Sequence, residues 1–439
     1  MQNCANACWS ILFVVSAFVP SAGALQPNIE LASQHEIVLG DPIQIRLVGL
    51  SAGSRPTLRA RLIKSSGEVW KSSAQFLANE SGSIDLSKDA PQKSSYAGVD
   101  SLGIFWSMDK STEVANVTTR PTKQCQRIEF ELFLDGKSVA QKSIVRWLVA
   151  PGVTRKEITS DGLVATLFLP ESTTKNPGII IVGGSEGGID WARRMSGLLA
   201  SHGYAAFALA YFGMEGLPQQ LEEIPLEYLE RAAQTFKEQS LVDGSSKLAV
   251  MGISKGAELA LLMGVNFSDV NKVIAIVPSH VVWQSVYPPN WPRSSSWSRE
   301  GKPLPFVPYG PMETIQRTGN LLELYHAGLK NKTAVANSTI LVELTQGPIL
   351  LISGKDDHMW PSSTMSDAVM SRLKKAKYAF HYEHLAYDEA GHAIAGPGYE
   401  PVTQYAVNNW VGGSRAGNAR AAADSWQEIL RFLASSFRK

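Results

Sequence analysis

Leu248-Ala249-Val250-Met251-Gly252-Ile253-Ser254-Lys255-Gly256-Ala257-Glu258-Leu259-Ala260-Leu261-Leu262 decides how this chain is read. An apolar strand (Leu248–Gly252) runs into a Gly-x-Ser-x-Gly turn, and a helix opens behind it from about Lys255 to Val265. A turn that tight is strained. It needs glycines where the backbone passes close to the helix, and it pushes the Ser254 hydroxyl out above the sheet. Gly and Ser are common residues, so the five-residue pattern alone says little. Its position between a strand and a helix is what separates it from a plain glycine-rich turn.

A serine near its free pKa is a poor nucleophile, so a base and an acid that orients it are expected further along. In this architecture they follow in the order Ser, Asp or Glu, His. The acid belongs to Gly354-Lys355-Asp356-Asp357, after the apolar strand Pro348–Ser353. Asp357 is preferred, because Gly-x-x-Asp lets the chain turn before it presents the carboxylate; Asp356 stays open. Of eight histidines, His392 in Ala390-Gly391-His392 alone combines the right order with a glycine-flanked loop. His358 adjoins the acids too closely to be their separate partner, His202 ends a helix, and His381 and His384 lie in a strand-like stretch; these read as structural or solvated. Donors for a tetrahedral oxyanion are expected from the backbone N–H of Lys255 and that of Ser185. Ser185 sits in Gly183-Gly184-Ser185-Glu186-Gly187-Gly188, which lacks the Gly-Lys-Ser/Thr ending of a phosphate loop.

Outward from the turn, buried strands at Gly178–Val182, Ala205–Tyr211, Leu248–Gly252, Lys272–Val277 and Pro348–Ser353 alternate with helices. The helices fall at about Trp191–His202, Leu226–Gln239, Lys255–Val265, Ser362–Lys375 and Ala421–Ser435. This predicts a mostly parallel sheet covered on both faces, over residues 151–439. A hairpin around Asp161-Gly162 precedes it. The alternation breaks at 279–340, where Trp283, Trp291 and Trp297 mark an insertion that is a candidate lid. Residues 26–150 read differently. Ile43–Val48, Leu58–Ile63 and Ile128–Phe133 alternate at period two, and Asp135-Gly136 signals a hairpin. That pattern predicts an antiparallel, Ig-like β-sandwich. Ahead of it, the apolar run Ile11–Val19 and Ala22-Gly23-Ala24 read as a signal peptide over residues 1–24, although Met1–Ser10 holds no Lys or Arg.

Composition narrows the class. Among 439 residues, 44% are apolar and 18% charged, and 41 Lys+Arg against 40 Asp+Glu leave a formal charge of +1. A nucleic-acid partner is not expected without a basic face. Beyond the leader no run reaches the roughly 18 apolar residues of a membrane helix, so stable insertion is not expected. Cys125 lies in a polar stretch without an activating neighbourhood, and no His, Cys or acidic cluster has metal spacing. No cofactor is implied.

Longer motifs carry a resemblance. Gly40-Asp41-Pro42, Val48-Gly49-Leu50, Leu58-Arg59-Ala60-Arg61, Tyr96–Asp100 through Trp106-Ser107-Met108, Gly162–Pro170, Ala208–Phe212, Gly252–Glu258 and Gly391-His392 resemble the acyl-CoA thioester hydrolase / bile acid-CoA:amino acid N-acyltransferase family. The resemblance implies a β-sandwich joined to an α/β-hydrolase domain and a nucleophile–Asp–His triad that cleaves acyl thioesters. By position these are Ser254, Asp357 and His392. Members that conjugate bile acids carry Cys at the nucleophile position, and Ser here favours water over an amine as acceptor. The expected function is a serine hydrolase of acyl-CoA-type thioesters. Two alternatives are an exported esterase on non-CoA substrates and a non-catalytic binding protein. Arg193, Arg194 and Lys255 are candidates to hold the CoA phosphates. Trp283, Phe306 and Tyr309 are candidates to line an apolar acyl pocket, or else to pack the insertion down. The protein is expected outside the cytoplasm if the leader acts as a signal, and in the cytoplasm otherwise.

Overall fold

The computed structural model of the chain describes residues 26–32, 36–116, 122–286, 294–311, 313, 315 and 321–436. The expected signal peptide and Trp291 lie outside the described residues.

Eight strands form the main sheet: β1 (Thr154–Ile158), β2 (Val164–Leu169), β3 (Gly178–Val182), β4 (Ala205–Ala210), β5 (Leu248–Ile253), β6 (Val270–Ile276), β7 (Ile349–Gly354) and β8 (Tyr382–Tyr387). Their spatial order is β1-β2-β4-β3-β5-β6-β7-β8. β1 and β2 pair antiparallel around Asp161 and Gly162, both at positive φ, and β2 runs antiparallel to β4. Every later pair is parallel. The central strands have no solvent-facing side. Every residue of β3, β4 and β7 is buried, so both faces must be roofed by helices. Helix α1 (Asp190–Ser201) meets α7 (Arg415–Ser436) through the His202 and Trp426 rings on one face. Helices α2 (Leu226–Lys237), α3 (Lys255–Asn266) and α6 (Ser362–Lys375) roof the other. Helices α4 (Leu322–Leu329) and α5 (Lys332–Ser338) belong to the stretch between β6 and β7. This is the α/β-hydrolase fold.

The N-terminal part holds two sheets around one core. Asn28–Leu31, Ile45–Val48 and Ile84–Asp85 make a three-stranded sheet. Thr57–Ile63, Glu68–Gln75, Cys125–Leu134 and Lys137–Trp147 form the body of a seven-stranded one. Leu58, Ala60 and Leu62 face inward with Ile128, Phe130 and Leu132, against Ile45, Leu47 and Ile84 of the smaller sheet. The hairpin at Asp135-Gly136 forms as expected, with both residues at positive φ. One pairing departs from the antiparallel expectation: Glu36–Val38 lies parallel to Lys137–Trp147. The pairing is long-range, and three residues carry no period that reveals their partner. A buried helical turn, Gly103–Trp106, was likewise invisible, because four consecutive apolar residues have neither period.

Polar contacts join this part to segments of the hydrolase part outside its sheet. Arg146 is fully buried; it donates to Gln126 Oε1 (2.9 Å) and to the Tyr399 carbonyl. Gln126 passes the chain on to Glu400 (3.0 Å), which also pairs with Arg194. Arg415 donates to the carbonyls of Val402 (2.6 Å) and Met108 (3.0 Å).

Candidate active site

All segments expected to carry chemistry follow the C-terminal ends of parallel strands, where open α/β sheets place their clefts. Ser254 leaves β5 at φ 55°, ψ −121°, a conformation that costs a non-glycine residue about 1–3 kcal/mol. Its N–H donates to Ile276 of β6 (2.9 Å), which holds the turn against the sheet. Both glycines of the motif are sterically required. A Cβ on Gly252 would overlap the Gly256 carbonyl, and one on Gly256 would overlap the carbonyl of Gly183.

His392 Nε2 lies 3.0 Å from Ser254 Oγ, and His392 Nδ1 lies 2.9 Å from Asp357 Oδ2. The three residues are at most 9% exposed. An Nδ1–H facing the carboxylate leaves Nε2 free to accept the serine hydroxyl proton. Asp357 is itself held. Its Oδ1 accepts from the N–H groups of Met359 (3.0 Å) and Trp360 (3.3 Å), and its Oδ2 from the Ser362 hydroxyl (2.6 Å). Asp356 points elsewhere, to His358 (2.9 Å) and the N–H of Gly413 (2.9 Å). Of the two acids left open by the sequence, it is therefore Asp357 that meets His392. Asp356 instead fastens the 411–413 segment, whose Val411 carbonyl accepts from the His392 N–H (2.8 Å).

The loop after β3 is pinned from beneath. The buried Tyr211 hydroxyl, at the end of β4, donates to the carbonyl of Gly183 (2.8 Å), and the Gly184 N–H is taken by Glu186 (3.1 Å). Burial, with Glu186 and Glu258 nearby, holds the Tyr211 phenol protonated by raising its pKa. Ser185 is exposed and shares a cavity with Ser254 and Lys255.

Several expectations need correcting. The Lys255 side chain does not face a phosphate. It is buried and bonds both oxygens of the equally buried Glu258 (2.8 and 2.9 Å), while Glu258 also accepts from Trp297 Nε1 (2.7 Å) and the Trp283 N–H (3.2 Å). Burial lowers the Lys255 pKa and raises that of Glu258. Arg193 is engaged by Thr166 and Glu157, and Arg194 by Glu400, so neither is a free phosphate ligand. Of the three expected pocket residues only Tyr309 lines the cavity. Trp283 stacks behind it (5.7 Å, 12°), and Phe306 packs against the main core. Two of the other histidines are engaged away from Ser254: His202 by Asp41 (3.0 Å), and His381 by Glu383 (3.5 Å). His384 bridges Ser353 (2.7 Å) and Asp367 (3.1 Å) in a serine–histidine–aspartate order, yet Ser353 is completely buried in β7. Among the described residues, no group of three His, Cys, Asp or Glu side chains is placed to hold a metal ion, and no helix is long and apolar enough to cross a membrane.

Sequence reasoning missed Tyr211, Glu258, Trp360 and Ser362 as parts of the site. Their side chains act through contacts distant in sequence or across a turn, and the residue types alone do not reveal that.

Two family descriptions match the chain. "Acyl-CoA thioester hydrolase/BAAT N-terminal region" covers residues 40–160, and "BAAT / Acyl-CoA thioester hydrolase C terminal" covers residues 224–439. Acyl-coenzyme A thioesterase 6 of Mus musculus is 31% identical, over 90% of this chain and 93% of its own. The chain belongs to the acyl-CoA thioester hydrolase/BAAT family. Bile acid-CoA:amino acid N-acyltransferase of Homo sapiens is 29% identical over 90% of this chain and 94% of its own. Peroxisomal succinyl-coenzyme A thioesterase of Mus musculus is 28% identical over 90% and 93%. Family membership makes this an enzyme, and the named relatives include both hydrolases and acyl transferases.

Proposed function

We propose that this family member hydrolyses acyl thioesters of the acyl-CoA type through an acyl-enzyme on Ser254. The observation that carries the proposal is the hydrogen-bonded series Ser254–His392–Asp357 opening onto an apolar cavity. His392 Nε2 takes the Ser254 proton as Oγ attacks the thioester carbonyl. The resulting oxyanion is met by the N–H groups of Lys255 and Ser185. Collapse expels the thiolate, which is protonated by the His392 imidazolium and leaves as the free thiol. A water molecule, deprotonated by the same nitrogen, then attacks the acyl-enzyme and frees the carboxylic acid and Ser254. Asp357 keeps the proton on Nδ1 and offsets the charge of the imidazolium. The serine acyl-enzyme is an oxygen ester, less reactive toward amines than a thioester, which favours water over an amino acid as acceptor.

The test is hydrolysis of an acyl-CoA against a p-nitrophenyl ester of the same acyl group, with Ser254→Ala alongside. The CoA thioester should be preferred, and Ser254→Ala should lose several orders of magnitude in kcat, on the order of 10³ or more. Full activity in Ser254→Ala would sink the assignment. The leader-like run Ile11–Val19 favours a second reading, the same serine chemistry on a non-CoA ester outside the cytoplasm. Cleavage of the p-nitrophenyl ester with acyl-CoA ignored, and a mature N-terminus near Leu25, would select it.

A further inference from the structure

The cavity above Ser254 is small and its walls are braced. It measures about 160 Å³ and is lined by Ser254, Val286, Tyr309, Leu324, Tyr325 and Trp360. Tyr325 stands edge-on to Trp283 (4.9 Å), Tyr309 (5.3 Å) and Trp360 (5.7 Å), so the rings lock one another in place. Two of the aromatic walls are also tied by hydrogen bonds. Trp360 Nε1 donates to the Val277 carbonyl (3.1 Å), and the Tyr309 hydroxyl to the carbonyl of Gln284 (2.8 Å). Trp283, behind Tyr309, donates through Nε1 to Ser279 Oγ (2.8 Å) and through its N–H to Glu258 (3.2 Å). Packing behind Trp283 is close at Gly328, where a Cβ would come within 2.9 Å of the Trp283 ring.

We infer that the acyl group accepted at Ser254 is compact and apolar, of the size of a benzoyl or short branched-chain group, and not a long-chain fatty acyl. The inference rests on the proposal that Ser254 is the acylated residue. An apolar cavity of about 150 Å³ takes a benzene-sized guest. A long alkyl chain would have to displace rings that are hydrogen-bonded and mutually packed, and Met359 is the single flexible thioether among the described lining residues. The T-shaped ring arrangement also offers edges and faces to a single aromatic ring.

The full-length protein decides the matter with a series of CoA thioesters: acetyl, isobutyryl, benzoyl, octanoyl and palmitoyl. The expected result is kcat/KM highest at isobutyryl or benzoyl and lower by about tenfold or more at palmitoyl. Leu324→Ala, which widens the cavity, should raise the octanoyl-to-benzoyl ratio of kcat/KM. Palmitoyl-CoA turned over as fast as benzoyl-CoA, or a ratio unmoved by a folded Leu324→Ala protein, would overturn the inference. The p-nitrophenyl esters of the same acids are run in parallel. If they follow the same size order while every CoA thioester is ignored, the size inference stands and the acyl-CoA reading falls. If neither series reacts, both fall.

Discussion

Asp357 and Asp356 are neighbours in sequence with divergent tasks, and the difference is one of hydrogen-bond partners. Asp357 Oδ1 is committed to two backbone N–H groups, and its Oδ2 lies between His392 and Ser362. In Asp357→Asn the amide oxygen would stay with the backbone donors, and the NH₂ group would turn toward His392. That forces the opposite imidazole tautomer, with Nε2 protonated and unable to accept from Ser254. Turnover should fall by about four orders of magnitude. Asp356→Asn keeps an acceptor for Gly413 and should retain most of its activity. Steady-state kinetics of the two proteins separate the roles, and equal losses would refute the assignment of the acid to Asp357. The Gly-x-x-Asp spacing already favoured Asp357, but the choice could not be closed there, because both carboxylates leave the same turn.

At the scale of elements, the strand-to-helix unit β5–α3 was legible almost to the residue. It is local: an apolar run, a glycine-framed serine and a helix act within one stretch of chain. Gly256 shows what that unit demands of its surroundings, since the helix can approach β3 only while no side chain stands between Gly256 and the Gly183 carbonyl. Gly256→Ala should destabilise the protein by about 1–3 kcal/mol through overpacking. It should also lower kcat by about tenfold or more, because the loop carrying Ser185 must move away from Ser254. Gly396→Ala is the control, with nothing near its Cβ position. Thermal unfolding and kinetics on both proteins check this, and a Gly256→Ala enzyme of normal kcat would contradict it. Among the helices expected from the sequence, α7 was the least legible, expected from Ala421 and starting at Arg415. Gly417 and Asn418 are poor helix formers. The extra turn holds because Ala419 enters the N-terminal core and Arg415 reaches carbonyls of both parts.

Across the whole molecule, the β-sandwich is tied to the segments behind the site rather than to Ser254 itself. Arg146 reaches Tyr399 and, through Gln126, Glu400, a few residues past His392. Asp41 binds His202 at the end of α1. Burial works against a charged His202, but the bonds to Asp41 and to the Leu198 carbonyl outweigh it and raise its pKa above the usual 6.5. A raised histidine pKa contributes stability that is complete below the unfolded value and lost as pH rises through the folded one. The gap in Tm between the wild type and His202→Leu should therefore narrow from about pH 6 to about pH 8. A gap independent of pH would show that the pair carries no such linkage. What the sequence determined by itself was local or periodic: strand and helix identity, the serine turn, and the order serine, acid, histidine. These follow from spacing along the chain, where a residue's period and immediate neighbours suffice. Tertiary structure alone decided which acid meets His392, that Lys255 and Arg193 are engaged inside the fold, how small the cavity is, and which segments behind the site the sandwich grips. Each of those depends on distances between residues far apart in sequence, and such distances exist only once the sheet has brought its strand ends together.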